Sequence, residues 1–248
     1  MELILAALCL LTGLAILLLC LLLFITVLRQ RPIPAVEIAQ ADASAQKFLG
    51  QAALRDWNAS ALTDLACRWE GAKTGLTRGE YQGRVMSVSQ PDSAWLAFYL
   101  TLKADQGLMR LRSAAQEMRI EFRGGIARID ALGSRRENDG HLFDAKQQYI
   151  GRYKRFQGWR WTMGNRSLTP HYGAIEMSGR VIAEMNDALN WGGGLFDAGD
   201  AQRPLIRLLA PNLSSVEEQW LIALVGVELF FNARRARASR AAGTPIQN

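Results

Sequence analysis

Two histidines are all the imidazole this 248-residue chain offers, so acid–base or metal chemistry would have to centre on one of them. His141 is the better placed. It stands in a small acidic group with Glu137, Asp139 and Asp144. The spacing Asp139-x-His141-x-x-Asp144 supplies two carboxylates and an imidazole, ligands that suit a divalent cation and, through it, a metal-assisted hydrolase. The plainer reading is a solvated loop ahead of a strand. His171 follows Pro170 and reads as a turn or capping residue. Neither G-x-S-x-G nor H-E-x-x-H occurs, and there is no C-x-x-C pair or P-loop lysine. Gly192, Gly193, Gly194 and Gly199 miss the dinucleotide spacing and follow a helical pattern rather than a strand. No metal and no cofactor are therefore expected, and the balance tilts away from an enzyme.

The second constellation is cationic. No acid lies between Asp144 and Glu176, while Lys146, Arg152, Lys154, Arg155, Arg160 and Arg166 do. Tyr149, Tyr153, Phe156, Trp159, Trp161 and Tyr172 alternate with them. Three readings compete for this ribbon. It is an ordinary strand pair with buried rings and solvated cations, a patch for anionic headgroups, or a single-strand nucleic-acid platform. The candidate anionic-surface residues are Arg152, Lys154, Arg155, Trp159, Arg160, Trp161 and Arg166. Nucleic acid is the least favoured partner, because no RNP, helix-turn-helix or zinc-finger pattern accompanies the charge. The chain's formal net charge is +6, from 29 basic against 23 acidic residues.

The elements that must carry these groups begin with an uncharged run from Leu3 to Leu28, broken only by Thr12, Gly13 and Thr26. As one helix it would reach roughly 39 Å against a hydrocarbon core of about 30 Å. Glu2 stands where a secretory signal has its basic region, and the apolar core is too long for one. A retained transmembrane anchor over residues 1–28 is the expectation. Arg29 and Arg31 follow it, which places the large domain in the cytoplasm of a bacterial inner membrane by the positive-inside rule, on a bias of only two charges. Two of the three cysteines fall in that run, and a lone Cys67 outside it suits a reducing compartment. Pro32 and Pro34 stiffen a linker over 29–34, an α+β domain spans 35–240, and 241–248 is a polar tail.

Within the domain, Ile38, Ala41, Ala45, Phe48 and Ala52 recur at helical spacing over Ala35 to Leu54, a stripe suited to packing on the domain's own sheet, the favoured reading, or to pairing with a second copy. A short helix fits Ser60 to Trp69. Period two then takes over. Arg84–Ser89 is a strand, Pro91-Asp92 a turn, Ala94–Lys103 the clearest strand, and Leu108–Arg112 its antiparallel neighbour. Gly124-Gly125 reads as a two-residue hairpin loop, pairing Phe122 with Ala127, Ile120 with Ile129 and Met118 with Ala131 on one apolar face. The same register sets Glu121 against Arg128 and Arg119 against Asp130 on the other. His171 to Asn190 reads as a helix. The last helix starts at a capping box of Ser215 with Glu218, and from Trp220 to Phe231 it is apolar on nearly every side. That stretch is a core helix or a self-association surface, with Trp220, Leu224, Val227 and Phe231 as the candidates.

The expected fold class is thus α+β: one N-terminal transmembrane helix, then a mainly antiparallel sheet with one wet face and one face covered by helices. The expected role is a membrane-anchored, non-enzymatic scaffold or assembly subunit, partnered by the membrane and by another protein or its own copies.

Overall fold

The structure is a computed structural model, and it describes residues 12–24, 35–74, 79–103, 106–114, 117–123, 126–129, 133–137, 139–153, 172–186 and 204–241. Twelve strands form one sheet in chain order, each antiparallel to the next. They are β1 (Leu65–Thr74), β2 (Gly79–Ser87), β3 (Ala94–Lys103), β4 (Gln106–Ser113), β5 (Glu117–Arg123) and β6 (Ile126–Ile129). Then come β7 (Ser134–Arg136), β8 (His141–Phe143), β9 (Tyr149–Tyr153), β10 (Tyr172–Met177), β11 (Arg180–Asn186) and β12 (Ile206–Leu208). Beside β12 the chain returns to its first strand. Leu205 N–H donates to the Leu65 carbonyl at 2.6 Å, and Ala66 bridges Pro204. A twisted sheet that meets its own beginning is a nearly closed up-and-down barrel.

Twelve strands enclose more room than side chains alone can fill; about eight is the number whose interior they just occupy. Here a helix supplies the filling. Of the three helices among the described residues, α1 (residues 12–24) and α2 (Ala35–Gln51) precede the barrel and α3 (Ser215–Ala241) follows it. Every residue of α3 from Trp220 to Phe230 is buried. Its Phe230 ring stacks on Phe122 of β5, 3.7 Å between centroids and 7° between planes. On another side, Glu228 accepts a hydrogen bond from Tyr153 of β9 at 3.1 Å. A helix that touches strands so far apart in the sheet order runs through the barrel. This explains a stretch apolar all round, since a helix surrounded by strands has no wet face.

The alternation of β3 also comes out on both sides. Leu96, Phe98, Leu100 and Leu102 join the core shared with α3, while Ala97 and Tyr99 are buried under Ala45 and Leu49 of α2. The Arg112 guanidinium donates to the Leu49 carbonyl, and Asp42 lies 3.6 Å from both Arg110 and Arg119. The small-residue stripe of α2 therefore packs on the protein's own sheet, the first of the two readings its spacing allowed.

Several expectations are corrected. The α+β class gives way to a barrel, because the sheet closes around a helix instead of lying under a layer of them. The transmembrane anchor over 1–28 is overturned as well. Among the described residues no helix is long and apolar enough to cross a membrane, and thirteen helical residues of that run reach only about 20 Å. The helix over Ser60–Trp69 is a set of turns at 59–64 followed by β1. The helix over His171–Asn190 is the β10–β11 hairpin, closed at Ser178-Gly179, both with positive φ. The cap of α3 is shifted by one residue. Ser214 Oγ accepts the Glu217 N–H at 3.2 Å, and the Glu217 carboxylate accepts the Ser214 N–H at 2.8 Å.

The β5–β6 register, by contrast, is the one expected: Ile120 with Ile129, Glu121 with Arg128, Phe122 with Ala127. Its further pairs, Met118 with Ala131 and Arg119 with Asp130, involve residues outside the described ones.

Candidate functional site

The β7–β8 turn brings part of the acidic–histidine group together. Glu137 N–H donates to the His141 carbonyl and Gly140 N–H to the Glu137 carbonyl, each at 3.0 Å, so the chain doubles back within five residues. Glu137, Asp139 and His141 then hold one ligand-type atom each within 4.8 Å of the others. Asp144, expected in this set, is turned to another task. Its carboxylate accepts the Gln148 N–H at 2.8 Å and shapes the turn into β9.

The three gathered groups are occupied with one another and with the sheet. His141 Nδ1 lies 2.8 Å from Asp139 Oδ2, and the His141 N–H donates to Asp139 Oδ1 at 3.1 Å. Glu137 accepts from Arg135 at 3.0 Å. The Arg135 guanidinium lies 4.5 Å over the Phe143 ring, and Tyr149 meets both Phe143 and His141 edge to face. The outer surface of β7–β9 is thus an ion-paired, ring-braced strip. Its carboxylates already have cationic or N–H partners, the arrangement of a satisfied loop more than of a vacant cation cage.

Of the anionic-surface candidates, Arg152 is exposed on β9, opposite His141 on β8 and Glu176 on β10. Lys154, Arg155, Trp159, Arg160, Trp161 and Arg166 lie outside the described residues. The self-association candidates are placed in the intrachain core. Trp220, Leu224 and Val227 have no exposed surface, and Phe231 is partly buried against the same core.

A cluster that sequence reasoning missed ties the barrel's entry to its plug. Asp64 precedes β1, and its carboxylate collects donors from three segments. Oδ2 accepts from the Ser87 hydroxyl, from Trp95 Nε1 at 2.7 Å, from the Ser89 hydroxyl at 3.0 Å and from Arg55 at 3.3 Å. Oδ1 accepts the Ser89 N–H at 2.7 Å. The Arg55 guanidinium covers the Trp95 ring at 4.2 Å. Trp57 packs edge to face on Trp95 and donates its indole N–H to Glu218 of α3 at 2.6 Å. Burial opposes the Asp64 charge, but the donors from Ser87, Trp95 and Ser89 outweigh it and hold the carboxyl below its ordinary 3.8. Glu217 behaves alike. Burial opposes its charge, and the Ser214 N–H, Arg180 and the Ser214 hydroxyl together hold it below 4.5.

Both shifts are downward, so each group contributes stability that is present above its ordinary pKa and lost as the pH falls through the folded value. Removing the Asp64 carboxylate would take away one of the two acceptors of Arg55 and leave the part-buried Trp95 indole N–H without its acceptor. Asp64→Ala is expected to destabilise the barrel by about 2–4 kcal/mol in urea unfolding at neutral pH. Asp64→Asn combined with Glu217→Gln should flatten the loss of stability below about pH 4. An acid limb as steep as that of the wild type would remove these two carboxyls from the explanation.

The remaining feature of note is α1. Nine large apolar side chains, Leu14, Ile16, Leu17, Leu18, Leu19, Leu21, Leu22, Leu23 and Phe24, are 50–67% exposed. Every residue from 12 to 24 is exposed.

Fold and sites together define an antiparallel barrel filled by its own C-terminal helix, with nine exposed large apolar side chains on α1. Comparison of the chain with protein-family models, with curated proteins and with solved structures finds no match in any of the three.

Proposed function

We propose that this chain is a non-enzymatic assembly subunit, a filled barrel that joins further copies of itself through α1. The observation that carries this reading is the exposure of α1. Covering the exposed halves of nine such side chains is worth on the order of 10 kcal/mol by area. That is comparable to the cost of association, which runs from about 4 to 15 kcal/mol. Exposed apolar surface on this scale marks a contact with something else. The barrel supports the reading from the other direction. Its interior, the usual place for a ligand in a barrel, is taken by α3, and the acidic–histidine strip outside is satisfied by its own neighbours.

The test is the assembly state of the full chain in detergent-free buffer. Sedimentation should show an oligomer for the wild type. The triple variant Leu14→Ser, Leu17→Ser, Leu21→Ser should sediment as a monomer with an unchanged strand signal in circular dichroism. A monodisperse monomer from the wild-type chain would count decisively against the proposal.

A further inference from the structure

The apolar stretch of α3 poses a physical problem that the barrel has to solve. Between Trp220 and Phe231 only Gly226 and Glu228 interrupt the run of apolar residues. Burying such a helix is favourable at any rotation and at several depths, because hydrophobic contact is non-directional. Apolar cores that are merely filled keep their stability while losing a single well-ordered arrangement. Something other than apolar area must choose.

We propose that Gly226 and Glu228 form a two-sided key that sets the rotation and depth of α3 within the barrel. Two residues apart on a helix, they diverge by roughly 200° and so face opposite walls. Gly226 faces β4 and β5. A Cβ placed there would lie 2.5 Å from Ile120 Cδ1, so any larger residue would have to turn that side-chain end aside, and glycine lets the helix lie against the wall without displacing it. Phe230, about 40° from Gly226 around the helix, stacks on Phe122 along the same wall. Glu228 faces β9. It is fully buried and accepts the Tyr153 hydroxyl at 3.1 Å. Arg136 of β7, itself buried, lies 5.5 Å from the Tyr153 ring and 5.8 Å from that of Phe231.

The steric half of the key admits one face of the helix to the β4–β5 wall. The polar half is satisfied where the Tyr153 hydroxyl reaches the carboxylate. A turn's slip along the axis, about 5.4 Å, would carry the carboxylate away from that hydroxyl while leaving the buried apolar area almost unchanged. Buried polar groups used for register in this way are retained for the choice they impose more than for net stability.

The test uses the full chain, hydrogen exchange read by mass spectrometry over α3, and circular dichroism. Glu228→Leu should keep the strand signal and a cooperative melt. Its α3 peptides should exchange as two populations, with protection reduced about tenfold or more. Glu228→Gln keeps an acceptor for Tyr153 and should show one protected population, as the wild type does. A single population with wild-type protection in Glu228→Leu would overturn the proposal. Should Glu228→Leu fail to fold, Tyr153→Phe decides, since it removes only the donor hydroxyl. Two populations there uphold the key, and one overturns it.

Discussion

Gly151→Ala should cost the barrel more than about 3 kcal/mol or prevent it from folding, although it adds a single methyl group. Gly151 is buried in the middle of β9, paired with Leu142 on one side and Met177 on the other. An added Cβ would overlap the Glu176 carbonyl oxygen and stand 2.9 Å from the Met177 Cα and 3.0 Å from the Glu176 carbonyl carbon. Side chains can rotate away from an intruder, but these atoms are backbone. Relief requires β9 to leave β10, which breaks the pairs Ile175–Tyr153, Glu176–Arg152 and Met177–Gly151. It would also draw Tyr153 off Glu228 in the core. Overpacking a core ordinarily costs about 1–3 kcal/mol, and a broken ladder adds to that. Gly50→Ala is the control: it lies exposed in α2, a Cβ there meets nothing within 4 Å, and helix propensity should make it stabilising by about 0.5–1 kcal/mol. Urea unfolding of the two variants beside the wild type gives the comparison. A Gly151→Ala midpoint within error of the wild type would show that the β9–β10 approach is not as close as described.

How far the sequence disclosed this fold depends on whether a local signal had a single solution. The β5–β6 register was legible because a two-residue turn, an apolar face and an opposite-charge pair all chose one alignment. Strand β3 was legible because its alternation is unbroken for ten residues. The expectation of one wet face fails at this strand, because α2 covers the side opposite α3. The stretch from His171 failed for a different reason. Ile175, Ile182, Met185 and Leu189 are spaced as a helix face would be, while the β10–β11 register shift between Ile175 and Glu176 breaks the strict alternation that would have argued for strands. The Ser178-Gly179 turn was the signal to weigh there.

Closure is the property least visible in the sequence. Each hairpin can be read locally, but the meeting of Leu65 with Leu205 joins residues far apart in the chain. The apolar stretch of α3 read equally as a core helix or a self-association surface, and nothing in it said that a core would be the inside of a barrel. The site was only partly legible. Asp139 and His141 do come together, whereas Glu137 takes the place given to Asp144, because the turn at Gly140 folds back on Glu137. Asp64 escaped notice because its partners, Ser87, Ser89 and Trp95, lie on a different hairpin, and no spacing along the chain records their convergence.

The largest effect of all is expected from removing α3. Trp220, Leu221, Ile222, Leu224, Val225, Val227, Leu229 and Phe230 are all buried on the strands. At about 1.5–3 kcal/mol for each such side chain, these eight contribute roughly 12–24 kcal/mol of gross stabilisation. A domain's net stability is only about 5–15 kcal/mol, so no rearrangement of the strands can absorb the loss. The barrel would be left with an interior too wide for its own side chains to fill. Losing Glu217 and Glu218 also frees Arg180 and Trp57 from the contacts that tie the plug to its entry.

The direct measurement is a thermal melt, followed by far-ultraviolet circular dichroism, of a chain ending at Ser214 beside the full chain. The account predicts a cooperative transition for the full chain and none for the shortened one, with cooperativity returning when a peptide of residues 215–241 is added. A shortened chain that melts cooperatively by itself, with the full strand signal, would contradict a barrel built around its own helix.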